Sequence, residues 1–237
     1  EPCEFRASAG PSCVKPDNSV AAQGVVLAKL SSGGVLDRSA AASGFVAVTQ
    51  ELKSFPRLAN QSGKELLLLT TSYPQGQIFN WQLGRYSANG MLDTGFGNNG
   101  VVTSRCSTDG SQLLVSKQGG IWVVGARQSV SYVTRPATVG VCVEGFEANG
   151  ARSAAAPEPL NTPLGANIQV TSARLLEGGG FMVGGSYAQE KERGAFALKY
   201  QSNGQLQGGY GAQGLASFPV TDASVRNAPR AVAISAS

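Results

Sequence analysis

The feature that most constrains this chain is that it repeats. Four segments align: "VVLAKLSSGGVLD" from Val25, "WQLGRYSANGMLD" from Trp81, "CVEGFEANGARS" from Cys142 and "AFALKYQSNGQLQ" from Ala195. Their turn glycines, Gly34, Gly90, Gly150 and Gly204, follow one another at nearly equal intervals. A second landmark follows in "ELLLLTTS" at 65–72, "IWVVGARQ" at 121–128 and "FMVGGSY" at 181–187, each after a glycine-containing turn. Leu69, Val124 and Val183 stand at nearly the same offset from Gly34, Gly90 and Gly150. Two landmarks that hold one period over three copies mark a repeated unit, and a unit this small must bury its apolar face against its neighbours.

Each unit reads as short strands. "WQLGRY" runs into an Asn-Gly turn, a strong hairpin signal. "GVVTSR", "QLLVS" and "IWVVGA" follow, rich in β-branched and aromatic residues. No stretch keeps a helical period over three turns; "AVTQELKSF" at 47–55 comes nearest and falls where the repeats put a strand or connector. About four repeats of four short strands predict an all-β fold, a β-propeller or partial propeller. A linear β-solenoid is the alternative, though its rungs are usually shorter. The expected division is an N-terminal disulfide-containing extension over 1–24 and repeats over 25–79, 80–138, 139–194 and 195–237, the last incomplete.

Composition narrows the setting. Charged residues are only 14% of the 237, and 42% are hydrophobic, enough for a core. So low a charge, with 31 Gly and 11 Pro, suits a β-rich protein that is secreted, periplasmic or on the cell surface. The net charge of +4 is dispersed and makes no nucleic-acid stripe. No apolar run approaches the ~18 residues of a membrane span. The opening "EPCEF" has neither the basic nor the apolar region of a signal peptide, so a secreted form is expected to have lost it already.

The four cysteines, Cys3, Cys13, Cys106 and Cys142, allow three pairings. Cys3–Cys13 is the favoured first pair, a short hoop in a segment with little core, leaving Cys106–Cys142; four free thiols are the alternative. Their wide spacing and the absence of His argue against zinc. With no His, no Ser-His-Asp triad or Cys-His pair can form within the chain. Paired carboxylates, a Lys base or a Tyr acid remain. The densest charge cluster, "EKER" at 190–193, reads as a self-neutralising loop.

Other candidate groups also have plain structural readings. In "LDTGFGNNG", Asp93, Asn98 and Asn99 offer oxygens to Ca²⁺, but calcium needs six to eight. The structural alternative makes Asp93 an Asx turn, Phe96 a core plug, and Gly95, Gly97 and Gly100 positive-φ positions. Lys29, Arg85 and Lys199 share one aligned position, and Asp37 and Asp93 another. Ion pairs Lys29–Asp37 and Arg85–Asp93 are expected across the hairpins. Repeat three has neither member (Gly145, Ser153), and repeat four pairs Lys199 with Gln207, which leaves Lys199 as a candidate ligand contact. "EGGGFMVGGS" lacks the lysine and helix of a phosphate loop and reads as a tight hairpin. Trp81 and Trp122 could stack on a sugar ring; core packing is the alternative. No cofactor and no catalytic residue is assigned.

"LGRYSANGMLDTGFGNNGVV" followed by "IWVVGA" resembles the bacterial delta-sixty repeat proteins, whose repeats read strand, Asn/Asp-Gly, Leu-Asp, Phe-Gly, Gly-Val and a glycine-ended strand. The best copy is 81–128; 195–218 keeps "ALKY", "SNG" and "YGAQG"; the copies at 25–72 and 142–187 are degenerate. The resemblance implies a β-propeller on a secreted or surface protein and no particular reaction. Spacing after Arg230 puts the start of the last strand at 237–239, so the chain is expected to be about half of a larger propeller, completed by a second chain. A four-bladed ring closed by residues 14–24 is the alternative. The expected function is a binding or assembly module with a protein partner. The alternatives are a hydrolase whose catalytic groups lie partly in a missing chain and a carbohydrate-binding propeller.

Overall fold

A computed structural model of the chain describes residues 4–5, 12–14, 20–23, 25–39, 45–48, 56–61, 63, 65–72, 80–106, 112–128, 138–153, 164, 167–189 and 192–220. These residues are all-β, and every pairing is antiparallel between strands consecutive in sequence. Near the N-terminus β1 (Glu4–Phe5), β2 (Ser12–Val14) and β3 (Val20–Gln23) form one sheet, and β4 (Val25–Ala28) pairs with β5 (Phe45–Val48). Three larger sheets follow. The first layer is β6 (Arg57–Gln61), β7 (Glu65–Ser72), β8 (Asn80–Tyr86) and β9 (Val101–Thr103). The middle layer is β10 (Gln112–Val115), β11 (Ile121–Gln128) and β12 (Thr138–Phe146). The last layer is β13 (Gln169–Leu175), β14 (Phe181–Ala188), β15 (Arg193–Tyr200) and β16 (Leu215–Pro219).

The repeats survive in the backbone. Gly34, Gly90, Gly150 and Gly204 all have positive φ, between 75° and 85°. So do Gly63, Gly119 and Gly179, which follow Gly34, Gly90 and Gly150 at one constant offset. Each large sheet is assembled out of phase with the sequence repeat. It takes its first two strands from the end of one copy and the next from the start of the following copy.

Strand alternation decides how the layers stack, because successive side chains leave a strand on opposite faces. On β11, Ile121 and Val123 join Leu67, Leu69, Trp81, Leu83 and Phe96 in a core against the first layer. Their neighbours Trp122, Val124 and Ala126 join Val183, Phe181 and Leu198 in a second core against the last layer. Trp81 meets Phe146 edge-on at 5.8 Å, and Phe181 lies between Trp122 and Tyr200, at 5.1 and 4.7 Å. Full burial of side chains this size contributes roughly 2–3 kcal/mol each. The middle layer is thus apolar on both faces, which explains its continuous run of buried residues from Ile121 to Ala126.

The expected β-propeller is not what the sheets form. Among the described residues no sheet closes on itself or curls round an axis; each is an open meander. The two cores join first layer to middle and middle to last, and among the described residues none joins the last layer back to β4–β5. The repeat period dictates a layer and its contact with the next. It does not dictate that the layers return on themselves. A binding face at the mouth of a propeller, and a hydrolase site shared with the other half of one, fall with the ring. Several expectations lie outside the described residues: the unfinished strand after Arg230, the closing segment 14–24 other than Val14 and β3, the pairing of Cys3, and residues 49–55. Among the described residues no helix is long and apolar enough to cross a membrane.

Candidate functional site

The polar side chains concentrate in the seam between the first and middle layers. Arg85 stands near the end of β8 on the face that carries Trp81 and Leu83, so it points toward the middle layer. Its Nε donates to Asp93 Oδ2 at 2.8 Å, and Nη2 lies 2.8 Å from the same oxygen. Nη1 donates to the Ala148 carbonyl at 2.7 Å and to Gln61 Oε1 at 3.4 Å. The guanidinium also lies over Phe96, 4.8 Å from its centroid, and Phe96 is fully buried. Ala148 belongs to the turn after β12, so one arginine ties its own hairpin to the next layer.

Gln61, buried at the end of β6, completes this knot. Its Nε2 donates to the Gly119 and Ala148 carbonyls at 2.9 and 3.1 Å. The Gly97 N–H donates to the Asn149 carbonyl at 2.9 Å. Gly150 is needed twice over: its φ is +85°, and a Cβ there would stand 2.7 Å from the Gly97 nitrogen.

The middle layer answers with a pair of its own. Glu144 on β12 is buried and forms an ion pair with Arg152. It also accepts from Ser104 Oγ at 2.8 Å, from the Arg105 N–H at 3.1 Å and from the Cys106 N–H at 3.3 Å. Arg152 donates to the Thr103 carbonyl and lies 5.0 Å over Phe146. The Cys106–Cys142 disulfide closes the same corner, as the favoured pairing requires. These three groups, Cys106, Cys142 and Glu144, come together as a metal site would. Both sulfurs are in the disulfide, however, and the carboxylate is already surrounded by donors, so the cluster is a structural corner.

Repeat three therefore has an ion pair after all, displaced by one residue and reversed in sign. One residue along a strand is the other face. Glu144 and Arg152 point back to the first layer, whereas Gly145 points forward, where a Cβ would overlap the Trp122 ring. A cation at 145 is sterically excluded. Sequence alignment at fixed offset missed the pair for this reason; the Glu-x7-Arg spacing, equal to that of Arg85 and Asp93, was its available signal.

The other expected residues fall as follows. Lys29–Asp37 is formed at 2.9 Å and is open to solvent. Hydrogen bonds from Ser39, then Lys29, hold the Asp37 carboxyl well below the usual carboxylate range. Asp93 Oδ1 accepts from Gly95 N–H at 3.0 Å, the expected Asx turn, and both its oxygens are engaged. Gly97 and Gly100 take positive φ, but Gly95 does not; Asn99 does instead, at 52°. Trp81 and Trp122 are 1% and 7% exposed, so neither can present a ring to a sugar, which removes both tryptophans from the carbohydrate reading. Glu192 of "EKER" accepts from the Tyr187 hydroxyl at 2.7 Å, while Glu190 and Lys191 lie outside the described residues. Burial first, and Glu192 second, push the Tyr187 hydroxyl up to about 12.

Two clefts border these elements. One of about 610 Å³ opens at the outer end of the seam beside Asn98, Thr103, Asn149 and Arg152. The other, about 700 Å³, lies on the last layer and includes Lys199. No family model matches the chain, and no curated protein matches it.

Proposed function

We propose that this chain is a rigid stacked-sheet scaffold that works outside the cytoplasm. The observation that supports a structural role is the seam. Arg85, Gln61, Asp93, Glu144 and Arg152 all direct their polar atoms at groups that join one layer to the next. Charges so placed hold layers in register and are not free to act on a substrate. The disulfide supports an oxidising compartment. Kinship of the repeats to the delta-sixty type belongs to this proposal and rests on the 81–128 copy; the ring that kinship implied is not carried over.

Hydrogen exchange tests the scaffold. The amides of Gly97, Arg105 and Cys106, each bonded across the seam, are expected to exchange only by global unfolding. Exchange within minutes by local opening would show a loose seam and remove the role. The scaffold's partner is proposed to be protein. Val35 and Met91 occupy the same turn position in two copies and are 68% and 71% exposed. A photo-crosslinking residue at position 91 is expected to capture a protein adduct in extract from the native host; no adduct would contradict this.

A further inference from the structure

In the first layer the forward-pointing cation does two things. Arg85 holds the carboxylate of Asp93, at the far side of its hairpin, and it reaches the next layer. Lys29 holds Asp37 in the same way. The backbone that sets this geometry is the same in the last layer. Asp37 N–H donates to the Lys29 carbonyl at 2.8 Å, Asp93 N–H to the Arg85 carbonyl at 2.9 Å, and Gln207 N–H to the Lys199 carbonyl at 2.8 Å. Only the acid is missing, replaced by an amide.

Lys199 has a second cation beside it. Arg174 pairs with Met182 across β13 and β14, and Met182 pairs with Lys199 across β14 and β15. The three therefore form one row on one face, with the two cationic Cα atoms about 10 Å apart, two strand spacings. Phe196, Leu198 and Phe181 point to the opposite face, into the core with the middle layer, so this row faces away from the stack. Arg174 and Lys199 border the 700 Å³ cleft together with Gln201, Gln207 and the single carboxylate of Glu177. Among the described residues, neither cation is in an ion pair; Lys199 lies 5.8 Å over the Tyr210 ring.

We propose that this cleft is a binding site for a carboxylate-bearing ligand, held between the Arg174 guanidinium and the Lys199 ammonium with the Gln201 and Gln207 amides as neutral donors. Two long cationic side chains rooted two strands apart can converge on one anionic group. The aligned hairpins show that this position holds a carboxylate when one is supplied, and here it must come from outside the hairpin. A planar carboxylate suits the guanidinium fork.

Succinate and inorganic phosphate are the probes, followed by amide chemical shifts of the intact chain. Succinate is expected to shift amides in 174–180 and 199–207 saturably, and R174A and K199A each to weaken it at least fivefold. Gln207→Asp is the decisive variant. It rebuilds the Lys29–Asp37 arrangement, so it is expected to capture Lys199, keep the fold and weaken succinate at least tenfold. Equal succinate affinity in Gln207→Asp and the parent, no saturable shift in the parent, or saturation by phosphate alone would each overturn the proposal. None of these outcomes bears on the seam, whose test is amide exchange.

Discussion

At the scale of single residues, chemically similar ion pairs are not equivalent. Lys29–Asp37 lies in solvent, where side-chain entropy and screening leave an ion pair little net value. Arg85 has the same hairpin geometry but adds two hydrogen bonds and a ring contact in a half-buried seam. Chemical denaturation is expected to show no measurable loss for K29A and about 2–3 kcal/mol for R85A. R85K keeps the charge and loses the fork, so it should recover less than half of that. Glu144 is the other extreme. R152A leaves a buried carboxylate short of its cation, and a loss of about 3 kcal/mol is expected. A loss too small to measure would show that the backbone donors suffice alone. Tyr200 carries the reverse prediction. Its hydroxyl is buried and has no hydrogen-bonding partner among the described residues, and burial raises its pKa. Y200F is expected to be neutral or stabilising by up to ~1 kcal/mol, measured by the urea midpoint.

At the scale of elements, strands and turns were legible in the sequence, and faces were legible only in part. The turn glycines and the runs 65–72, 121–128 and 181–187 are where the repeat put them, because Asn-Gly turns and β-branched runs are local signals. Even the loop after the hairpin repeats. Gly97, Asn99 and Gly100 have φ of 55°, 52° and 94°; Gly211, Gln213 and Gly214 have 54°, 55° and 96°. What alignment could not show is which side of a strand a charge leaves from when a copy slips by one residue. The Glu144–Arg152 pair was hidden by that slip, and Gln61 carried no distinctive local pattern. Gly145 is the element-scale test. G145A puts a methyl group into the Trp122 ring, and a loss of about 1–3 kcal/mol is expected from the melting midpoint. An unchanged midpoint would mean that β12 and Trp122 are not closely packed.

At the scale of the molecule, layers stack through two cores, and the described residues do not form the ring inferred from the period, because periodicity constrains neighbours and leaves closure open. Buried tyrosines couple the whole stack to pH. Tyr187, pushed up to about 12, and Tyr86 and Tyr200, also raised by burial, hold their protons more tightly folded than unfolded. Their contribution is complete below pH about 10 and is lost as pH rises through the folded values. Stability is expected to fall from about pH 10 upward in a denaturation series, and less steeply in Y187F. Above all, the layers are held to form one locked body. The chain has two tryptophans, Trp81 in the first core and Trp122 in the second. Urea unfolding followed by fluorescence in W122F therefore reports the first seam, and in W81F the second. After correction for the small stability cost of each Trp→Phe change, measured by circular dichroism, the two fluorescence transitions are expected to coincide with that global signal. A fluorescence transition that precedes the circular dichroism transition in either variant would show that the layers come apart separately, and would contradict the locked stack.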